Sequence, residues 1–456
     1  MSDSYSEIKQ RDQQVLLHPA SSIIDLQDNG PSLMLRGEGN EVIDVDDRRY
    51  LDAIAGLWCV NVGYGRKRLA SAMALSAEQL GYYHSFGNAG NIDQVRLADK
   101  LLSLAPGNMG KVFFGSSGSD ANDTLVKIAW HYHSLQGNPR KIKIIARDQA
   151  YHGTSISTAS LTGLGGFHKD YPIPLDFVLR TECPHYYTRA FDEESEADFC
   201  DRLIRGVEGL IAREGADTIA AFIAEPIQAA GGIIVPPAGY FDKLVPLLKA
   251  HNILLIADEV VCGMGRLGDW FGAQALGFEP DMMAVAKGLT SGYFPLSASL
   301  LTNEVYQVLA EGSRRHGAFY HGYTYSGHPV GAAVALENIA ILEEENLLQK
   351  VRELGTYLHE QLNEKVLPLP MVGEIRGQGL LAGVQLVADK KRAQLPDPAH
   401  KWPQHIAAAA RAQGVIVRPL PSVATLALSP PFTITYEQVD KLVATLTTAI
   451  NDFHPS

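Results

Sequence analysis

Cysteine is scarce in this sequence, and long apolar runs are absent. The 456 residues include four cysteines, Cys59, Cys183, Cys200 and Cys262, and none lies in a CxxC or Cys/His ligand spacing. No apolar run approaches the ~18 residues that cross a membrane, and the polar residues 1–14 contain no signal-peptide core. We therefore expect a cytoplasmic protein with four buried thiols, no disulfide framework and no metal site.

Positive charge is scarce as well. Lysine and arginine number 39 against 51 acidic residues, which gives a net charge of −12. Such a surface repels phosphate backbones and anionic lipid headgroups, so we expect neither nucleic acid nor a membrane as a partner. Hydrophobic residues at 46% and charged residues at 20% are typical of a globular protein. At ~150 residues per domain, the length predicts two or three domains.

The middle of the chain repeats short, continuous apolar runs. Such runs are typical of strands buried on both faces, and helical segments between them indicate the crossover connections of a parallel sheet. One such helix follows Ser119, and another covers the region around residues 203–214. The pattern predicts an α/β core with strands near residues 112–114, 142–146, 219–224, 253–257, 282–286 and 297–301.

The two ends of the chain have different patterns. Residues 33–50 alternate apolar and polar side chains, which predicts a peripheral antiparallel hairpin. After Pro329 an acidic helical stretch is followed by strand-like segments at 373–387 and 414–418. We predict an N-terminal segment, 1–55, that packs with a small α+β domain, 329–456, and a large domain between them, 56–328.

Polar residues follow the predicted strands at the points where the strands end. Because ligands bind at the carboxyl ends of strands in α/β sheets, these residues are the candidates for chemistry. Taken singly, each has an ordinary structural explanation: a serine caps a helix, an aspartate caps a loop, and a lysine extends to solvent. The five groups are Gly115-Ser-Ser-Gly-Ser119, Tyr151-His152-Gly153, Glu225-Pro226, Asp258-Glu259 and Lys287-Gly288.

The combination of three of these groups points to one cofactor. The serine-glycine turn before a helix is suited to a phosphate, because small residues and the helix dipole favour an anion there. Asp258 follows a buried strand, where its charge needs a cationic partner, and Lys287 follows another. Pyridoxal phosphate requires this set: a lysine for the Schiff base, an acid for the pyridine nitrogen and a helix end for the phosphate.

At these residues the sequence resembles the class III aminotransferases, which are fold-type-I pyridoxal phosphate enzymes. The resemblance covers about residues 15–450 and is greatest to ω-amine:pyruvate transaminases of the putrescine and β-alanine type. The motifs that carry it are Ala55-Gly-Leu-Trp-Cys-Val-Asn-Val-Gly-Tyr-Gly65, Ser117-Gly-Ser-Asp-Ala-Asn-Asp123, Ala224-Glu-Pro-Ile-Gln228, Asp258-Glu-Val-Val-Cys-Gly263, Ala286-Lys-Gly288 and Tyr323-Thr-Tyr-Ser-Gly-His-Pro329.

The resemblance implies a cofactor role for each matching residue. Lys287 is implied as the Schiff-base lysine and proton shuttle, and Asp258 as the partner of the pyridine nitrogen. Val260 and Tyr151 are implied to stack on opposite faces of the ring, with Glu225 near its hydroxyl side. The remaining cofactor-binding residues are Ser117, Gly118 and Ser119 at the phosphate, His152 beside Tyr151, and Thr324, which reaches the phosphate in a neighbouring subunit.

The resemblance also implies a substrate pocket. Trp58 and the partner subunit's Phe86 are implied to line it, and Arg418 to be a mobile arginine that receives a carboxylate. From the residues alone, the two aromatic side chains are equally consistent with core packing, and Arg418 with the surface end of a strand. Relatives that act on ornithine or 4-aminobutyrate have a glutamate where Ala230 stands, so we expect uncharged amine tails here.

The sequence departs from the family pattern at three positions. Asp120 stands where glutamate is common, and Met264 and Leu267 stand where phenylalanine and threonine are common. The shorter carboxylate of Asp120 puts its hydrogen bonds in question. The other two changes affect the packing of a loop outside the catalytic set.

These observations predict a transaminase that moves an amino group from a primary amine to pyruvate. The amine is an aliphatic amine, a diamine or an ω-amino acid, and the enzyme is a homodimer with the active site at the subunit interface. A tetramer is also compatible with the sequence. Two alternatives share the fold, an aminomutase and a decarboxylating aminotransferase, and a third is a transcription regulator with an aminotransferase-like domain. The last requires a basic helix-turn-helix, for which the chain has neither room nor charge.

Overall fold

A computed structural model describes residues 4–455. The helices are α1 (Tyr5–Val15), α2 (Ile23–Asn29), α3 (Ala55–Trp58), α4 (Lys67–Leu80), α5 (Ile92–Leu104), α6 (Gly118–Leu135), α7 (Ile156–Leu161), α8 (Tyr186–Arg189), α9 (Glu196–Glu214), α10 (Tyr240–Ala250), α11 (Gly272–Ala275), α12 (Asn303–His316), α13 (Pro329–Glu344), α14 (Leu347–Lys365), α15 (Trp402–Ala412) and α16 (Tyr436–Asn451). The strands are β1 (Met34–Glu38), β2 (Glu41–Asp44), β3 (Arg49–Asp52), β4 (Met109–Gly115), β5 (Lys143–Arg147), β6 (Val178–Thr181), β7 (Ile219–Ala224), β8 (Leu254–Asp258), β9 (Met282–Val285), β10 (Ser297–Thr302), β11 (Val372–Gln378), β12 (Leu381–Leu386), β13 (Val415–Ile416), β14 (Arg418–Leu420) and β15 (Thr425–Leu428).

A seven-stranded sheet forms the centre of the molecule, in the order β4-β10-β9-β8-β7-β5-β6. Strands β9, β8, β7, β5 and β6 are parallel, and β10 is antiparallel to both of its neighbours. Every residue of β7, β8 and β9 is buried, as continuous apolar runs predict. The architecture confirms the predicted α/β class, and all six predicted core strands are present with ends shifted by a few residues at most.

One strand of this sheet has no counterpart in the sequence prediction. Strand β6 lies at the edge of the sheet and pairs only with β5. Three of its four residues, Val178, Leu179 and Arg180, are only partly buried. Its short, half-exposed sequence therefore lacks the continuous apolar character that identifies the central strands.

Two smaller sheets, in which most strand pairs are antiparallel, are built from the ends of the chain. The sheet β1-β2-β3 gains β13 as a parallel fourth strand, and the other sheet has the order β11-β12-β15-β14. The region predicted as one helical stretch after Pro329 contains two helices, α13 and α14, and the spaced apolar residues of α14 are buried. The predicted domain limits at residues 55 and 328 stay a prediction.

Two further expectations concern the thiols and membrane insertion. Cys183, Cys200 and Cys262 are buried, whereas Cys59 is partly exposed, so the expectation of four buried thiols is wrong for Cys59. It lines the cavity described below. Within residues 4–455, no helix has the length and apolar character that crossing a membrane requires.

Candidate active site

A cavity of about 400 Å³ lies at the carboxyl ends of the central strands. This edge is where a parallel sheet presents its loops to a ligand. The residues predicted for the site from several distant motifs meet here. The lining includes Trp58, Ser117, Gly118, Ser119, Tyr151, His152, Glu225, Ala230, Asp258, Val260 and Lys287.

One end of the cavity is the beginning of helix α6. Ser117 is its N-cap, and the Ser117 hydroxyl accepts the peptide N–H of Asp120. The N–H groups of Gly118 and Ser119 lie in the first turn, where a helix offers unpaired donors and the positive end of its dipole. A Cβ atom added to Gly118 would lie 3.0 Å from the Val260 side chain, so the turn and Val260 are in close contact. This end of the cavity suits a phosphate group.

Asp120, which stands where glutamate is common in the family, still forms a hydrogen bond through its shorter side chain. The Asp120 carboxylate accepts the peptide N–H of Ser116 at 3.0 Å, which stabilises the turn ahead of α6. The hydroxyl of Ser119 accepts the N–H of Thr154 at 3.1 Å and links the turn to the loop after β5. The other two departures, Met264 and Leu267, are buried in the loop that follows β8.

Asp258 ends β8 and is buried at the floor of the cavity. Its Oδ1 accepts the N–H of Val260 at 3.1 Å, and its Oδ2 accepts Nδ1–H of His152 and Nδ2–H of Asn122, both at 2.8 Å. A carboxylate only accepts, so the proton of His152 lies on Nδ1. No Lys or Arg among residues 4–455 pairs with Asp258, which leaves the expected cation to the ligand.

Lys287 follows β9 and also lines the cavity. Its backbone has φ of +44°, a left-handed conformation that is costly for a side chain with a Cβ and is typical of functional sites. Burial lowers the pKa of Lys287, and the nearby Asp258 carboxylate opposes that shift. A lysine with a lowered pKa has a larger fraction of free amine, which is the nucleophilic form.

Glu225 and Tyr151 form one wall of the cavity. The Glu225 carboxylate accepts the N–H of Tyr151 at 3.0 Å and the N–H of Ala229 at 2.8 Å. Burial raises the pKa of Glu225, because burial disfavours the charged form. The Tyr151 ring packs edge-on against Phe167, with 5.4 Å between ring centres. Glu225 therefore positions the backbone of the loop that carries Tyr151.

Trp58 lines the cavity, and Arg418, which is not part of the lining, lies against the Trp58 ring. The guanidinium carbon of Arg418 is 4.9 Å from the centre of the Trp58 ring, a cation–π distance. Burial lowers the pKa of Arg418, and its Nε has no hydrogen-bond partner within residues 4–455. The peptide groups before Trp58 are held by Asp52, whose carboxylate accepts the N–H of Ile54 and Gly56.

Phe86 and Thr324 are not part of the cavity lining in this chain. Both are exposed, and they lie on neighbouring loops. A Cβ atom added to Gly322 would lie 2.9 Å from the Phe86 ring, and the Tyr82 hydroxyl donates to the carbonyl of Thr324 at 2.6 Å. Their assignment to the site of a neighbouring subunit stays a prediction.

Sequence reasoning assigned no role to several residues of the lining, and two of them carry polar or reactive side chains beside the predicted ones, Asn122 and Cys59. Asn122 lies four residues after Gly118 on α6, so it is on the same helix face as the predicted phosphate turn. It is also a polar residue flanked by the buried apolar positions Ala121 and Leu125. A polar residue at a buried position on the helix face of the phosphate turn could therefore have identified Asn122 from the sequence. Cys59 follows Trp58 in a quoted motif, and no pattern distinguishes it.

The donor set of the cavity fits pyridoxal phosphate. The site combines a helix N-terminus for a phosphate, a buried carboxylate in the cavity lining, a lysine with a lowered pKa, and the side chains of Tyr151 and Val260 in the lining. Each group matches a different part of the cofactor.

The family model described as aminotransferase class-III matches residues 26–450. The chain is a class III aminotransferase. Enzymes of this class use pyridoxal phosphate, in agreement with the predicted cofactor. The predicted membership and the predicted enzyme class are thereby confirmed.

Two curated proteins and one solved structure show what this aminotransferase is similar to in sequence and fold. An uncharacterised aminotransferase from Sinorhizobium fredii is 43% identical over 97% of this chain and 96% of its own length. A diaminobutyrate–2-oxoglutarate transaminase from Halomonas elongata is 40% identical over 98% of this chain and 96% of its own length. A structure of the omega transaminase from Pseudomonas jessenii in complex with PMP has 40% identity and a TM-score of 0.95, covering 98% of both chains.

Proposed function

We propose that this aminotransferase transfers an amino group to pyruvate from a primary amine whose tail carries no carboxylate, such as an aliphatic amine or a diamine. The observation that carries the proposal is the position of Arg418 against Trp58, a residue of the cavity lining. A guanidinium without a carboxylate partner is a receptor for the carboxylate of a keto acid. The Trp58 ring beside it is suited to an apolar amine tail.

Within residues 4–455, the cavity lining contains no carboxylate free to pair with Arg418. Its two acids are Asp258 and Glu225, whose oxygens already accept N–H groups of the protein. Ala230 lines the cavity at the position where ornithine- and 4-aminobutyrate-type relatives have a glutamate. Arg418 must therefore leave by moving toward solvent when an apolar tail binds, and return for the keto acid.

The cofactor, when bound, accepts the amino group and withdraws electrons from the carbon that carries it. Lys287 is proposed to take and return the proton at that carbon, and Asp258 to keep the pyridine nitrogen protonated. Val260 and Tyr151 are proposed to hold the ring faces, and Ser117, Gly118 and Ser119 the phosphate. Glu225 and His152 position these groups.

We further propose a homodimer in which the partner completes the site. Tyr82, Tyr325 and Phe86 are large exposed apolar side chains near Thr324, and Tyr82 packs against Tyr325 with 5.7 Å between ring centres. A contiguous exposed aromatic surface of this kind is typical of a protein interface. It would bring Phe86 and Thr324 to the partner's cavity.

Two alternative functions differ from this proposal in the keto acid that the reaction requires. The Halomonas relative is named for 2-oxoglutarate, so that acceptor is the main competitor to pyruvate. An aminomutase of this fold consumes no external keto acid. The discriminating measurement is a matrix of amine donors against pyruvate and 2-oxoglutarate, with alanine and glutamate quantified as products.

The expected result of the matrix is alanine formation with terminal aliphatic amines and diamines as the best donors. Ornithine and 4-aminobutyrate should be poorer donors. Glutamate as the main product, with ornithine and 2-oxoglutarate as the best pair, would contradict the proposal. Isomerisation of an amino-aldehyde without any keto acid would favour the aminomutase.

A further inference from the structure

Asn122 is a buried residue of the active site to which the family resemblance assigns no role. It lies on α6 and is only 1% exposed. Its Nδ2 donates to Oδ2 of Asp258 at 2.8 Å and to the carbonyl of His152 at 2.8 Å. Both hydrogens of the amide are therefore used within the site.

The chemistry of the two partners determines the orientation of this amide. A carboxylate and a backbone carbonyl can only accept hydrogen bonds. The reverse orientation would place Oδ1 of Asn122 against both of these oxygens, which is repulsive. Oδ1 faces away and has no partner within residues 4–455, so the structure retains a buried unpaired acceptor to keep the two donors in place.

Asn122 connects three elements that would each contact a different part of the bound cofactor. Its own helix begins at the phosphate turn around Gly118. Its first partner, Asp258, ends β8 at the pyridine-nitrogen side, and its second partner, His152, follows the ring-stacking Tyr151 in the loop after β5. One side chain thus links the three surfaces that must match the cofactor simultaneously.

We propose that Asn122 is a positioning residue that aligns the Asp258 carboxylate with the pyridine nitrogen. It fixes this carboxylate relative to the phosphate turn and to the loop of Tyr151. Without it, the carboxylate keeps His152 on Oδ2 and the N–H of Val260 on Oδ1, but it loses its hydrogen bond to α6, the helix that begins at the phosphate turn. The inference concerns cofactor binding and is independent of which keto acid the enzyme uses.

The test measures the dissociation constant of pyridoxal phosphate, alongside kcat and the visible spectrum of the bound cofactor. The variants are Asn122→Ala, which removes the amide, Asn122→Asp, which replaces the donor by an acceptor, and the milder Asn122→Ser, which keeps one hydroxyl donor. A charge-assisted hydrogen bond is lost, so Asn122→Ala should weaken cofactor binding at least tenfold, to about 10–100 times the wild-type constant. Asn122→Asp should weaken it further through repulsion of Asp258, and Asn122→Ser should lie between wild type and Asn122→Ala.

Asn40 offers a matched control outside the site. It is also buried, and its Nδ2 also donates twice, to the carbonyl of Thr433 and to Oε1 of Gln438, both at 2.8 Å. Asn40→Ala and Asn40→Asp should lower thermal stability as the Asn122 variants do. They should leave the cofactor dissociation constant and the visible spectrum of the holoenzyme unchanged.

A cofactor analogue with CH in place of the pyridine nitrogen separates alignment of Asp258 from general damage to the cavity. Because this analogue offers no ring N–H, wild type and Asn122→Ala should bind it with equal affinity. Two outcomes would overturn the proposal. One is a wild-type dissociation constant and spectrum in Asn122→Ala and Asn122→Asp, and the other is the same loss of affinity for the analogue as for pyridoxal phosphate.

Discussion

The guanidinium of Arg418 lies against the ring of Trp58, 4.9 Å from its centre, and its Nε has no hydrogen-bond partner within residues 4–455. Arg418 begins β14 near the C-terminus, and Trp58 ends α3 near the N-terminus. The contact holds a cation beside Trp58, a residue of the cavity lining, and a carboxylate could replace it, since a cation–π contact contributes only about 0.5–2 kcal/mol.

Arg418→Ala should raise the KM for pyruvate at least tenfold, because a charged hydrogen bond to a carboxylate contributes about 1.5–3 kcal/mol. The KM for a neutral amine should change little. Steady-state kinetics with both substrates varied measures the two effects separately. Arg418→Lys is the control that keeps the charge and loses the bidentate geometry. Unchanged pyruvate kinetics in Arg418→Ala would contradict the assigned role.

Borohydride reduction of the yellow holoenzyme followed by peptide mapping should place the pyridoxyl label on Lys287. Lys141 is an internal control, because burial also lowers its pKa, to about 8, while its Nζ donates to the carbonyls of Ile219, His251 and Asn252 outside the cavity. A lowered pKa alone is therefore not sufficient, and Lys141 should remain unlabelled. A label on any lysine other than Lys287 would make the assignment wrong.

Asp258→Asn should fold and bind the cofactor but lose on the order of 100-fold or more in kcat, since a neutral amide cannot keep the pyridine nitrogen protonated. Glu259→Gln is the matched control. Glu259 is the adjacent buried acid, and its carboxylate accepts the N–H groups of Gly272 and Ala273 rather than facing the cavity. It should lose stability and retain turnover. Near-normal kcat in cofactor-loaded Asp258→Asn would show that another group protonates the ring.

Thr324→Ala should weaken cofactor binding about tenfold or more if Thr324 contacts a phosphate. Mixing Thr324→Ala with Lys287→Ala at limiting cofactor then tests which subunit uses Thr324. If the contact is made to the partner, each mixed dimer has one intact site, so about a quarter of all sites recover after random exchange. No recovery after demonstrated subunit exchange would place Thr324 in the site of its own chain.

His133 should contribute to acid sensitivity. It is fully buried on α6, where Nε2 donates to the carbonyl of Ala220, and burial lowers its pKa from 6.5 to about 4. Between these values the unfolded chain binds more protons than the folded one, so stability falls as the pH falls. This loss amounts to roughly 2 kcal/mol between pH 7 and pH 5.

His133→Gln, which keeps a donor for Ala220, should remove that part of the pH dependence. Denaturant unfolding at pH 7 and pH 5, at one protein concentration, measures the difference. Exposed His400 is the control position, and His400→Gln should retain the wild-type slope. Equal slopes for wild type and His133→Gln would show that His133 does not titrate in this range.

The strands of the central sheet could be predicted from the sequence because they are buried on both faces. Continuous apolar runs identify such strands, and the residues that end them, Asp258 and Lys287, meet at one edge because parallel strands share a direction. The sequence did not predict the edge strand β6, because three of its four residues are only partly buried and the strand therefore lacks a continuous apolar run. The antiparallel direction of β10 also has no signature in its own residues.

The sequence by itself determined the family and the cofactor, and it predicted which lysine attaches the cofactor and which acid faces the ring nitrogen. These depend on residue type at strand ends, which is a local property. Only the tertiary structure decided that Asn122 holds both Asp258 and His152, and that Arg418 lies on Trp58. Such contacts join elements that are distant along the chain, and an amide or a guanidinium has no preferred partner until packing brings one within hydrogen-bond or cation–π distance.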